Sequence, residues 1–242
     1  MDNLFTQLKS GTFQQHRKLE HSAPFAVFHN EAPIPLTSYK TILTTMYGFH
    51  RQVSNVAHLC INEMEINNSA DIEDMKALIA LLNIEGVVSA LKADMTALED
   101  SASNFHVAKP CEAKCYSAKY GITNSALATA DFTKLVAPPP TFSGMTSSCI
   151  AGLYVWMGSS MGANLISRRL HKQKSFCDTS LTLPTYYYDT MALIAKDWVT
   201  FKQQTIIAID AFTKDANALC DATVKDANLW FSYLIGLNSN AT

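Results

Sequence analysis

The chain has 242 residues, 48% of them hydrophobic, a formal net charge of −2 and a pI of about 6.4. Such a length and apolar content support one sizeable core, and the near-neutral charge provides no basic field for nucleic acid or a membrane surface. Residues 1–18 lack the apolar core of a secretion signal, no uncharged apolar run reaches membrane-spanning length, and six scattered cysteines fit reduced thiols; a cytoplasmic protein is expected.

Taken in chain order, the apolar spacing is helical throughout. Leu4, Phe5, Leu8, Phe13 and Leu19 predict a first helix from Leu4 to about Ser22, followed by the loop SAPFAVFHNEAPIPL. Thr37 is the expected N-cap of a long second helix through Tyr39, Ile42, Met46, Phe49, Val53 and Val56. One or two helices are expected between Ala70 and Asp100. Residues 101–146 read as a long connection holding Cys111, Cys115 and the run Pro138-Pro139-Pro140. A long, apolar, proline-free stretch, Ile150 to Arg169, reads as a buried helix. A polar break at 171–184 precedes a helix from about Tyr187 through Trp198 and Phe201 into Phe212, and a last helix runs from about Ala216 to Leu237. No stretch alternates with period two between turns, so the expected class is all-α, a single domain over 1–242.

The helix at 150–169 has an unusual middle. Gly158, Ser159, Ser160, Gly162 and Ala163 reduce one side to little more than backbone, although each glycine costs roughly 1 kcal/mol of helix propensity against alanine. A close helix–helix contact or a flat ligand would account for that side equally well. A bend at the cluster is expected.

Few residues carry chemistry. GxGxxG, P-loop, GxSxG and HExxH patterns are absent, as is the ExxH spacing of di-iron bundles. Cys111-x-x-x-Cys115 lacks a second ligand pair at zinc spacing. Of seven histidines, His16 stands apart. On a helix it shares a face with Phe13, Leu19 and Glu20, and Lys9 lies two turns upstream on nearly the same side. A neutral imidazole on an apolar stripe can hold a metal centre, and the lysine can pair a carboxylate attached to it.

TFQQHRKLEHSAPF resembles the proximal helix of heme oxygenases, and GLYVWMGSSMGANLISRRL resembles the distal helix, closest to the bacterial, bacteriophytochrome-linked form. The two occur in the family's order and spacing. Weaker matches are LTSYKTILTTMYGFH, ALKADMTAL, LPTYYYD with WVTFK, and LWFSYL; the stretch at about 101–135 matches poorly and reads as an insertion.

The resemblance implies a helical bundle with heme sandwiched between a proximal helix and a kinked distal one. His16 would ligate iron, with Gly158, Ser159 and Gly162 shaping the oxygen site. Lys9, Tyr154 and Lys202 would complete heme binding, and Arg168 and Arg169 would serve the rim, a redox partner or only a solvated helix end. The implied activity opens heme, substrate and cofactor at once, to biliverdin, carbon monoxide and ferrous iron. Its partners would be dioxygen and an electron donor such as ferredoxin or flavodoxin with its reductase. The chain departs from the animal-type pattern at Ser159, where an aspartate organises distal water, and also at Met161 and Ala163. A serine anchors water less firmly than a carboxylate. The alternative is therefore a heme-binding or heme-sequestering protein on the same fold.

Overall fold

The structure is a computed structural model that describes residues 3–69, 71–105, 138–172, 183–212 and 216–239. Most of the stretch read as an insertion at about 101–135, including Cys111 and Cys115, lies outside the described residues, as does most of the polar break at 171–184. The described residues contain no strand. Their α-helices are α1 (Asn3–His21), α2 (Leu36–Ile66), α3 (Ile72–Ala80), α4 (Ile84–Phe105), α5 (Met145–Lys172), α6 (Tyr186–Ile194), α7 (Trp198–Phe212) and α8 (Ala216–Ser239). Single 3-10 turns occupy Phe25–His29 and Ala195–Asp197. The all-α class read from the apolar spacing is what is observed.

Helix α5 lies at the centre, packed against α8, α6 and α2. It is the one described helix long and apolar enough to cross a membrane, yet 56% of its apolar window is buried inside the protein. Trp156 on α5, Trp230 on α8, Phe49 on α2 and Tyr187 on α6 are all fully buried. Each aromatic side chain of this kind removes a large apolar area from water, the dominant favourable term in folding.

Two of the central helices begin on carboxylates supplied from elsewhere. Asp226 of α8 accepts the Ser143 amide (2.9 Å) and the Ser147 hydroxyl (2.6 Å) at the start of α5. Asp94 of α4 accepts the Tyr186 and Tyr187 amides at the start of α6, at 3.1 and 3.0 Å. Both aspartates are fully buried, and both supply acceptors for N–H groups that have no partner within their own helix. Asn68 and Asn83 take left-handed backbone (φ 49° and 45°) just after α2 and α3, a conformation asparagine tolerates.

Three sequence expectations need correction. Pro35, not Thr37, is the N-cap of α2; its carbonyl receives the Tyr39 amide at 2.9 Å, and proline's fixed φ suits the first turn. The helix expected from Tyr187 into Phe212 is two helices joined by the 3-10 turn Ala195–Asp197. The helix around the glycines is longer than Ile150–Arg169 and stays helical through the cluster, where Ser159 and Ser160 donate to the Trp156 and Met157 carbonyls.

Candidate functional site

The two glycine-bearing halves of α5 differ in what surrounds them. A Cβ built on Gly152 would lie 3.0 Å from Trp230 Nε1 and 3.2 Å from Val53 Cγ1, so that glycine is needed for close packing. At Gly158 and at Gly162 a Cβ would meet no atom of the described residues within 4 Å. Among the described residues, the second pair is therefore not a helix-packing contact. On that face Tyr154, Gly158, Met161, Gly162 and Leu165 follow at helical spacing, and Met161 and Leu165 are 52% and 76% exposed.

A matching stripe runs along α1. Phe5, Lys9, Thr12 and His16 are spaced four, three and four residues apart and share one face. Phe5 packs on Tyr154 (centroids 6.3 Å) and on Trp198 and Phe201 of α7, and Thr12 lies close enough to Tyr154 to bear on its phenol. Burial pushes the Tyr154 phenol above its ordinary value, so it stays protonated. These contacts turn the α1 stripe towards the α5 stripe.

Both helices rest on α8, and they barely touch one another. At the far end Arg169 of α5 donates to the Phe28 and Ala32 carbonyls, at 2.8 and 2.6 Å, in the segment that follows α1. The two helices thus run the same way and are joined at both ends. By helical rise the stretch from Tyr154 to Arg169 is about 22 Å long, and the space between it and α1 is the candidate trough. By helical spacing the His16 stripe belongs to its α1 side and the Gly158–Gly162 stripe to its α5 side.

His16 is half-exposed, its ring edge-on to Phe231 of α8 at 5.7 Å. Its Nδ1 lies 3.5 Å from Glu20 Oε2, one turn on. A carboxylate at Nδ1 favours the tautomer with the proton on that nitrogen and leaves the Nε2 lone pair free to bind a metal. Phe13, expected on the same face, lies instead on the next flank of α1. There it lines a shallow hollow of about 340 Å³ with Gln14, Arg17, Lys18 and His21.

The remaining expected residues are distributed around the trough. Lys9 is exposed one turn after Phe5, and Lys202 is half-buried one turn after Trp198, so both belong to the end where Phe5 meets α7. Ser159 is half-buried, and its hydroxyl proton is given to the Trp156 carbonyl at 2.7 Å, so only its lone pairs remain to receive a water. Arg168 is exposed, while Arg169 is held in the tether to Phe28 and Ala32 rather than free at a rim. Sequence reasoning missed that tether, the Thr12–Tyr154 contact and Phe231. The Glu20 partnership was visible as an i, i+4 spacing. No group of three or more histidine, cysteine or carboxylate side chains gathers into a metal site among the described residues. Comparison of the chain with family models, curated proteins and solved structures gives no match.

Proposed function

We propose that this protein binds heme in the trough between α1 and α5 and degrades it as a heme oxygenase, giving biliverdin, carbon monoxide and ferrous iron. The observation that carries the reading is the pairing of two stripes. His16 lies on the α1 stripe and Gly158 and Gly162 on the α5 stripe, and a Cβ at either glycine would meet no atom of the described residues within 4 Å. A planar macrocycle needs one ligand long enough to reach its metal and an opposite wall close enough to exclude bulk solvent yet admit dioxygen. His16 meets the first need and the two glycines the second.

Heme, as substrate, supplies the iron at which dioxygen is activated. The chain's own groups bind and orient. Glu20 holds the His16 proton on Nδ1, Phe231 fixes the ring, and Lys9 and Lys202 offer cations to the two propionates. Ser159 Oγ, with its proton committed to Trp156, can accept a hydrogen bond from a distal water and so orient it. Electrons would come from ferredoxin or flavodoxin with its reductase, in a reducing cytoplasm that keeps Cys60, Cys149 and Cys220 as free thiols.

A second reading, heme sequestration without turnover, is favoured by that same hydroxyl, since Ser159 has no proton of its own to spare. Hemin titration followed by single turnover with an electron donor, with catalase present, tests both. The expected result is a ligation spectrum that His16→Ala abolishes and added imidazole partly restores, with biliverdin released by the wild type. An unchanged Soret band in His16→Ala removes the heme site as drawn. Normal ligation without biliverdin release leaves sequestration.

A further inference from the structure

We propose that His21 and His29 form a binding site for a divalent transition metal, such as zinc or nickel, at the turn that follows α1. Their imidazole rings lie near-parallel, 10° apart, with centroids separated by 5.2 Å. Both side chains are exposed, so an ion reaches them from solvent without any opening of the core. His16 is not part of the pair.

His21 is set up as a ligand by its own helix. Its Nδ1 lies 2.8 Å from the Arg17 carbonyl oxygen, one turn back. A carbonyl only accepts, so Nδ1 carries the proton and Nε2 keeps its lone pair. Metal-binding imidazoles commonly donate the other ring N–H to a backbone carbonyl in this way. His21 is also the last residue of α1, where the helix dipole favours a cation.

His29 is brought to it by a short, tied segment. It ends the 3-10 turn Phe25–His29, whose Ala26 amide donates to the Ser22 carbonyl at 2.9 Å. Arg169 donates to the Phe28 and Ala32 carbonyls, which holds the backbone on both sides of His29. Only the rings need adjust. A metal about 2.0–2.1 Å from a ring nitrogen lies about 3.2 Å from that ring's centroid. Two rings with centroids 5.2 Å apart can share it at an angle close to tetrahedral, once the exposed His29 ring turns about its Cβ–Cγ bond.

The ligand set selects the ion. No third histidine, cysteine or carboxylate joins the pair among the described residues, so water fills the remaining positions. Arg17 and Lys18 line the hollow beside His21 and oppose a cation held by charge alone. Neutral imidazole nitrogens suit zinc, nickel and copper, whereas magnesium and calcium require oxygen ligands. A bound metal ties the segment after α1 to the end of that helix.

The test is calorimetric titration of the tag-free full chain with nickel chloride. The expected result is one saturable site per chain, undisturbed by excess magnesium, and a Tm that rises with nickel concentration. His21→Gln and His29→Gln should each weaken binding by roughly tenfold or more, whereas His58→Gln and Cys111→Ser should leave it unchanged. In the wild type, zinc should shift the ring proton signals of His21 and His29 together, a readout that does not depend on the fold of a variant. The proposal is overturned if no saturable binding occurs, if either glutamine variant binds as the wild type does, or if binding is lost instead with Cys111→Ser or His16→Ala.

Discussion

Gly158 and Gly162 each forgo up to about 1 kcal/mol of helix propensity against alanine, and a methyl group at either position would meet no neighbour among the described residues. Gly158→Ala and Gly162→Ala should therefore each stabilise the protein by about 0.5–1 kcal/mol, as read from urea unfolding. Gly152→Ala should do the opposite, because Trp230 Nε1 is held by its bond to the Ser148 carbonyl and cannot easily yield. Bulk is a separate matter from propensity. Gly158→Leu should fold but take up hemin poorly; normal uptake and turnover would make the open space incidental. Ser159→Ala removes lone pairs but no free donor, so single-turnover biliverdin formation should slow by roughly tenfold or less, about 1.4 kcal/mol. A loss of several orders of magnitude would mean that the hydroxyl leaves the Trp156 carbonyl during turnover and acts directly.

At the scale of elements, the helices were legible because their apolar residues recur at three and four, and α1, α5 and α8 lie close to where that spacing put them. What starts the central helices was not. The carboxylates at the heads of α5 and α6 come from α8 and α4, 83 and 92 residues away from the amides they accept. Local capping patterns cannot reveal such partners. The same holds for the trough: the spacing showed that His16, Lys9 and the glycines occupy definite faces, but only the contacts of Phe5 and Thr12 with Tyr154 turn those faces towards each other. Asp226→Ala is the direct probe of a borrowed cap. It strands the Ser143 amide and the Ser147 hydroxyl, and should cost about 2–3 kcal/mol of stability in chemical denaturation. A cost below a few tenths would mean that water replaces the carboxylate, and that the start of α5 is open to solvent.

At the scale of the whole molecule, α2, α4, α5 and α6 enclose two titratable groups displaced in opposite senses. Burial holds His50 down to about 3, its Nε2 against the Tyr187 hydroxyl at 3.0 Å. Asp94 is pushed up to about 6, chiefly by burial, with the Tyr186 and Tyr187 amides opposing the shift. In the unfolded chain these groups titrate near ~6.5 and ~3.9. The depressed histidine contributes stability above its unfolded value that is lost as pH falls towards 3. The raised aspartate contributes stability below its unfolded value that is lost as pH rises through 6. Between about pH 4 and 6 folding therefore expels a proton at His50 and captures one at Asp94, and the opposing slopes cancel. Asp94→Asn should uncover the histidine. Relative to wild type, its unfolding free energy should fall by about 1.4 kcal/mol for each unit of acidification across that window. Parallel curves for the two proteins would place Asp94 at an ordinary carboxylate value. The buried charge of the core thus stays neutral in mildly acidic surroundings because one site surrenders the proton that another keeps, and acid tolerance becomes a property of the pair that neither residue has alone.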